Sequence, residues 1–274
     1  MDRQPLSGQG LDRATPRLFS ERVRQSFAGR AASYELHAHL QRGIAWRLAR
    51  HCRALVLPAG PAADLGAGSG LLGQALLQQS SRSVLKPSLG AFPPLQLDHC
   101  PELLARNPLA TTTAARPWDL EQGLPAELSG AALLTSSFAL QWLSQPAAQL
   151  EHWCRRLAPG GWLALAVPTA ASFPQWHSAA ATAGVPFTGL ELPEAADLEA
   201  VARRELLIRR LQRLRFTRGE GDGHRFMRQL RAIGAGTSPH PPLSAPKLRR
   251  LLQHWPAGEG VTWEVLLMIG QRPS

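Results

Sequence analysis

Ala62-Ala63-Asp64-Leu65-Gly66-Ala67-Gly68-Ser69-Gly70 is the stretch whose reading decides the fold. A short apolar run ends in an acid and three glycines at spacing two, and Leu71 to Gln79 then has helical character. That order reads as strand, tight turn and helix. Glycines let the backbone take φ > 0 and let a ligand approach closely, and the start of the helix offers N–H donors. Two common phosphate sites are excluded by the details. Gly70 is followed by Leu71-Leu72, so no lysine reaches a triphosphate as in a P-loop, and the glycine spacing departs from the G-x-G-x-x-G of NAD proteins. Asp64 would repel a phosphate dianion and suits a cationic amine.

The same alternation continues outward. Leu95 to Leu97 reads as a second strand ending in Asp98, and Pro101 to Arg106 as a helical turn. Residues 111–118 read as a third strand followed by Asp119, and Ala131 to Ser136 as a fourth. Gln145 to Leu157 is a helix, Pro159-Gly160-Gly161 a turn, and Trp162 to Val167 the continuous apolar run of a covered parallel strand. Val261 to Gly270 reads as the last strand. Strands alternating with helices predict an α/β protein with a doubly wound sheet.

Residues 19–53 form an N-terminal helical cap with two apolar stripes: Leu18, Val23 and Phe27, then Leu36, Leu40, Ile44 and Leu48. Gly29 to Tyr34 breaks it, with Ser33 as cap of the second helix. Residues 1–18 read as a disordered tail and 80–94 as a loop-like insertion. Leu206 to Phe216 fits a strand or a helix, while His224 to Ile233 and Ser244 to His254 read as helices. The expected organisation is a core of 54–168 with 255–274, and a lid and basic docking region over 169–254.

The 274 residues are 44% hydrophobic and 18% charged, a globular composition large enough for one domain with a lid. No apolar run approaches the ~20 residues of a membrane span, and no secretory signal opens the chain. Cys52, Cys100 and Cys154 are widely spaced, which argues against a disulfide framework and against a zinc site. The reading is a cytoplasmic monomer with no metal, no membrane and no nucleic acid. The net charge of +10 is carried by residues 201–250, with 13 Arg or Lys against 3 Asp or Glu. Localised positive charge expects an acidic partner.

Ala63 to Gly70 resembles motif I of the class I S-adenosylmethionine-dependent methyltransferases. That family implies a Rossmann-like sheet, mostly parallel with one antiparallel edge strand, together with N-terminal helices and a helical lid insertion. It implies three further marks. An acid after the second strand holds ribose hydroxyls, matched by Asp98. An acid after the third meets the adenine amino group, matched by Asp119 in Trp118-Asp119-Leu120. The methyl-transfer site lies at the end of the fourth strand, matched by Ser136-Ser137-Phe138. Phe27 to Gln41, Phe138 to Trp142, and Met227 to Gly236 resemble corresponding segments of the malonyl-ACP O-methyltransferases of biotin synthesis. This narrower resemblance implies methyl esterification of the free carboxyl of a malonyl thioester. It also implies acyl carrier protein, a small acidic protein, as partner, with S-adenosylhomocysteine as the cofactor product. Three departures stand out: the long link from Gly70 to Asp98, Gly130-Ala131-Ala132 where the family usually has Phe-Asp, and no Arg near Thr188 within 185–193.

A carboxylate with a pKa of about 4.3 is already ionised at pH 7, so no general base is expected. Positioning and desolvation are left to do the catalysis. An arginine fork suits the substrate anion, and Arg231, Arg228 and Arg225 are the candidates in that order. Tyr34, His37 and Gln41 share a helical face; Tyr34 and His37 join Arg231 as catalytic candidates. The cofactor-binding set is Gln41, Asp64, Gly66, Ala67, Gly68, Gly70, Asp98, Asp119 and Ser137, and Trp142 joins the arginines on the substrate. The residues leave three alternatives open: a methyltransferase for another small carboxylic acid or a quinone, an RNA or DNA methyltransferase using the arginines on phosphates, and a silent cofactor-binding subunit.

Overall fold

A computed structural model describes residues 16–80, 94–110, 115–218 and 222–274. The N-terminal helices are α1 (Pro16–Ala28), α2 (Tyr34–His37) and α3 (His39–Cys52). The alternating core follows as β1 (Ala62–Leu65), α4 (Leu71–Ser80), β2 (Leu95–Asp98), α5 (Pro101–Leu104), β3 (Ala115–Pro117), β4 (Ala131–Ser137), α6 (Pro146–Arg156) and β5 (Leu157–Pro168). The C-terminal part is α7 (Pro174–Thr182), α8 (Ala195–Glu205), β6 (Leu207–Arg218), α9 (Gly223–Ala232), α10 (Ala245–Gln253) and β7 (Val261–Gln271).

One seven-stranded sheet runs in the order β3-β2-β1-β4-β5-β7-β6. The five strands from β3 to β5 pair in parallel, and β7 pairs antiparallel with both β5 and β6. The one antiparallel strand is therefore β7. It lies one place in from the edge because β6 pairs along its whole length. Alternation along the central strands builds two cores. On one face Leu65, Leu134, Leu163, Leu165 and Met268 pack with Trp153 of α6 and Leu198 of α8. On the other, Leu133, Ala164, Val265 and Leu267 pack with Ile44 and Leu48 of α3 and Leu72 and Leu76 of α4. A third cluster joins Phe173, Trp176, Phe226, Leu251 and Trp255, which ties α7, α9 and α10 together as a lid.

Some boundaries differ from expectation. Residues 207–218, expected within the lid region, form β6 of the main sheet, and α8 packs in the core rather than in the lid. A register shift between Ile208 and Arg210 explains the ambiguous pattern of Leu206 to Phe216. The bulge adds one residue, so Ile208 and Leu211 join one face of the sheet while Leu214 and Phe216 join the other. Pro16 to Leu18, expected in the tail, open α1, where proline suits the first position of a helix. The rest of the expected tail, residues 1–15, and the insertion residues 81–93 lie outside the described residues. Ser33 stands at the start of α2, but its hydroxyl donates to Arg30 O (3.5 Å) and caps no helical N–H.

Candidate active site

The carboxyl ends of β1, β2 and β4 open into a cavity roofed by α1 and the lid. The turn after β1 is built for close approach. Gly66 has φ +74°, and a Cβ there would lie 2.2 Å from the Ala139 Cβ, so only glycine fits against that loop. The Gly66 and Ala67 N–H groups donate to Leu97 O (2.8 and 2.9 Å), which fastens the turn to β2. The Gly68 N–H donates to Asp98 Oδ2 (2.8 Å), and the Cys100 N–H donates to Asp98 Oδ1 (2.7 Å). Asp98 is thus locked by its own backbone, with lone pairs left over for hydroxyl donors. Burial pushes its carboxyl pKa up, against the opposing pull of those two N–H groups.

Asp64 is 1% exposed. Thr135 Oγ1 donates to its Oδ1 (2.9 Å), while Oδ2 has no hydrogen-bond partner. Burial, reinforced by the nearby Asp98 charge, pushes its pKa up to about 7. Ser69 Oγ, Ser137 Oγ and Gln141 Oε1 are also buried without partners, and all three residues line the same cavity. Trp176 Nε1, on the lid side, is a fifth such atom, and buried polar atoms of this kind, rare in native proteins, fit a cavity that takes a polar ligand. The donor set fits an adenosyl sulfonium group: a locked acid for hydroxyls, a second acid without a counter-ion for an amine, and apolar walls between them.

Most of the expected residues come together. Tyr34, Gln41, Asp64, Gly66, Ala67, Gly68, Asp98, Ser137 and Trp142 line the cavity. The Tyr34 hydroxyl is pushed up in pKa by burial and then by Asp98, so it stays a protonated donor. Trp142 stands edge-on to Phe27, with ring centroids 5.5 Å apart. Gly70 (φ +83°) closes the turn from behind, where a Cβ would lie 2.1 Å from Asn107 Oδ1. Asp119 sits at the rim. It caps the turn at Leu120–Gln122 through the Glu121 N–H (3.1 Å) and lies 3.4 Å from Ser20 Oγ, while its neighbours Trp118 and Leu120 line the cavity.

Four expected residues lie elsewhere. His37 is exposed, because the helix breaks at the fully buried Ala38 and the face that would join positions 34, 37 and 41 is lost. Arg225, Arg228 and Arg231 are also exposed and do not line the cavity. On α9 the buried residues are Gly223, Phe226 and Leu230, which turn the three arginines to the opposite face. The basic segment is also less concentrated in space than in sequence. Arg213 meets Glu199 (2.6 Å), Arg204 meets Glu151 (3.1 Å), and Arg215 meets the buried Glu264 (3.0 Å).

Sequence reasoning missed the residues that close the cavity. Arg24 and Phe27 come from α1, Phe173 and Trp176 from the lid, Thr188, Thr237 and Ser238 from loops, and Trp263 from β7. Phe138 (φ +58°) and Phe173 (φ +60°) are the two non-glycine residues with left-handed backbone among those described. Each is pinned by its N–H, to Ala166 O (2.9 Å) and Thr262 O (2.7 Å), and both rings pack on Trp263, at 6.2 and 4.5 Å. Strain of this kind persists where the surroundings over-determine it, often at ligand sites. A local signal existed for Phe27, Phe138, Gln141, Leu230 and Ile233, which line the cavity and lie within the stretches that carry the narrower resemblance.

No family model matches the chain. Over 266 residues it is 30% identical to a malonyl-[acyl-carrier protein] O-methyltransferase of Magnetococcus marinus, covering 89% of this chain and 90% of that protein. The chain belongs to the malonyl-[acyl-carrier protein] O-methyltransferase family. It is also 34% identical over 246 residues to the biotin biosynthesis bifunctional protein BioCD of Bordetella avium, which covers 88% of this chain and 50% of the relative. The chain thus spans about half the length of that bifunctional protein. Among solved structures, a putative methyltransferase of Bacillus halodurans superposes with a TM-score of 0.53 at 13% identity, covering 84% of this chain and 99% of that one. The N-methyltransferase NodS of Bradyrhizobium japonicum, in complex with S-adenosyl-L-homocysteine, gives 0.52 at 14%, covering 92% and 100%. These likenesses establish a class I methyltransferase fold for this malonyl-[acyl-carrier protein] O-methyltransferase family member. Among the described residues no helix is long and apolar enough to cross a membrane.

Proposed function

We propose that the chain is an S-adenosylmethionine-dependent O-methyltransferase. Its acceptor is the free carboxyl of a malonyl thioester on acyl carrier protein, and the reaction stands at the start of biotin synthesis. The observation that carries the reading is the set of unpartnered polar atoms around the glycine turn, Asp64 Oδ2 foremost, in a chain of this family. Asp98 and the Gly66–Gly70 backbone would hold the nucleoside, and Asp64 with Gln41 or Gln141 the amino-acid end. Bound S-adenosylmethionine supplies a methyl carbon on a sulfonium, which a carboxylate oxygen takes as the carbon–sulfur electron pair returns to sulfur.

The protein's own part is positioning and exclusion of water. Phe138, Phe173, Trp142, Trp176 and Trp263 give the cavity apolar walls, in which opposite charges cancel more favourably than in water. Tyr34 keeps its proton and is a hydrogen-bond donor, not a base, in keeping with an acceptor that is already ionised. Arg24 is the arginine that lines the cavity, with a side chain 26% exposed and held by Glu21 at 2.7 Å. It replaces the α9 arginines as the candidate for an anion inside the cavity. Arg228 and Arg231, on the outer face of α9, instead suit docking of the acidic carrier. The enzyme would work in the cytoplasm as a monomer. Among the described residues the exposed large apolar side chains Leu18, Leu36, Val56, Leu77 and Leu207 lie on separate segments, in keeping with that state.

Intact-protein mass spectrometry of malonyl-acyl carrier protein incubated with the chain and S-adenosylmethionine tests the reading. The expected product is heavier by one methylene and reverts on treatment with an esterase. A malonyl carrier left unmodified while another small acid gains the methyl would replace the acceptor proposed here.

A further inference from the structure

The pairing of β5 with β7 ends at Pro168 and Val265, while β7 begins four residues earlier, at Val261. The turn over residues 169–175 takes the place of the missing strand. The Thr169 N–H and the Ser172 hydroxyl both donate to Glu264 O (3.0 Å each), and Ser172 Oγ accepts the Glu264 N–H (2.9 Å). The Phe173 N–H donates to Thr262 O (2.7 Å), and Gln175 Oε1 accepts the Thr262 N–H (3.1 Å). Between these two anchored residues stands Trp263, which lines the main cavity with Phe173, their ring centroids 4.5 Å apart. The Glu264 side chain adds a further tie. Thr169 Oγ1 donates to its Oε1 (2.9 Å), and Arg215 Nε of β6 donates to its Oε2 (3.0 Å). Glu264 is 4% exposed, whereas the Arg215 side chain is 68% exposed. Burying a carboxylate costs desolvation, and a partner out in the solvent returns little of it, so stability alone gives poor reason for an acid here. What the acid does provide is a fixed geometry for a turn that carries Phe173 at φ +60°, a conformation that lasts only where the surroundings over-determine it.

We infer that Glu264 is a positioning residue for methyl transfer: its carboxylate, through Thr169, and its backbone, through Ser172, hold the 169–173 turn so that Phe173 and Trp263 form one fixed wall of the acceptor half of the cavity. The inference rests on the proposed function. Glu264 itself touches neither cofactor nor acceptor. Its effect reaches the cavity through two aromatic rings, and an aromatic wall that moves by a fraction of an ångström changes the line along which a carboxylate oxygen meets the methyl carbon. The glycine turn and its acids stand apart from this device, because β4 and β5 separate β1 from β7 in the sheet. Loosening the turn should therefore harm the acceptor side and spare the nucleoside side.

Steady-state kinetics with malonyl-acyl carrier protein and calorimetric titration of S-adenosylhomocysteine, run on the same variants, test this. Thr169→Val removes the hydroxyl at nearly constant volume, and Glu264→Ala removes its acceptor. Each should lower kcat/KM for the carrier about tenfold to a hundredfold, with S-adenosylhomocysteine affinity kept within about twofold. Thr169→Ser, which restores the hydroxyl, should recover most of the loss. Arg213→Ala, which breaks the exposed pair with Glu199 from the same strand as Arg215, should change neither quantity. The turn also has a readout that needs no acceptor. In protein carrying 5-fluorotryptophan, the Trp263 fluorine resonance, assigned with Trp263→Phe, should be single in the unaltered chain and should shift or split in Thr169→Val. That variant decides by itself where Glu264→Ala does not fold. An unmoved resonance, a kcat/KM within about twofold of the unaltered value, or cofactor affinity that falls in step with kcat/KM would overturn the inference. The two proposals fail separately. A chain that esterifies malonyl carrier and is indifferent to Thr169→Val loses only the role of Glu264. A chain whose Trp263 resonance responds but which esterifies no malonyl thioester loses the reaction and keeps the anchored turn.

Discussion

Asp64→Asn is expected to raise the melting temperature of the ligand-free protein at pH 8 while weakening its hold on S-adenosylmethionine. In the unfolded chain the carboxyl titrates near 3.9, whereas in the folded chain it titrates at about 7. A raised folded value means that the native state binds the proton more tightly. Its contribution therefore turns against folding as pH climbs from about 4, and the cost is complete above 7. Asparagine keeps an acceptor for Thr135 Oγ1 and removes the buried charge. The gain at pH 8 should be ~2–4 kcal/mol, or roughly 5–10 °C in a chain of this size, shrinking as the pH falls toward 5. The same change takes away the anion that would face the cofactor's ammonium group, at a cost of roughly tenfold to a hundredfold in affinity. Thermal melts from pH 5 to 9 and calorimetric titrations on both proteins measure the two effects. Identical melts across that range would remove the buried-charge argument.

Asp98→Ala should be the more damaging change, with cofactor affinity lowered by more than about a hundredfold. Two causes combine. The carboxylate accepts the Gly68 and Cys100 N–H groups, and alanine leaves both without an acceptor in a turn that must hold its shape. It also removes the oxygens that would take the ribose hydroxyls. Asp98→Asn should recover little, because its NH₂ would face one of those two N–H donors. The measurement is S-adenosylhomocysteine affinity for the three proteins, with the melting temperature as the control for folding. An asparagine variant that binds like the unaltered protein would show that the acid acts only through its shape.

The nucleotide half of the site was legible in the sequence because its physics is local. A strand end, a turn that needs φ > 0 and Asp64 lie within a few residues of one another, and Asp98, 30 residues beyond Gly68, marks the end of the neighbouring strand and meets them there. The acceptor half was not legible, because it is assembled from α1, α2, the lid and β7, which are far apart in sequence. Two readings of helical faces show where local reasoning ran out. Positions 34, 37 and 41 share a face only on an unbroken helix, and the chain breaks at Ala38. Arg228 and Arg231 of α9 sit in a family-like stretch, but Phe226 and Leu230 claim the inward face, a choice made by the lid's core rather than by the motif. The one-residue bulge in β6 likewise puts Ile208 and Leu214, which alternate in sequence, on opposite faces of the sheet.

The central claim is that the glycine turn and the acids at 64 and 98 form a single adenosyl site. Calorimetric titration of S-adenosylhomocysteine into the unaltered protein tests it most directly. The prediction is saturable binding at one molecule per chain, weakened in Asp64→Asn and nearly abolished in Asp98→Ala. No binding heat in the unaltered protein, or binding that both variants leave intact, would contradict it.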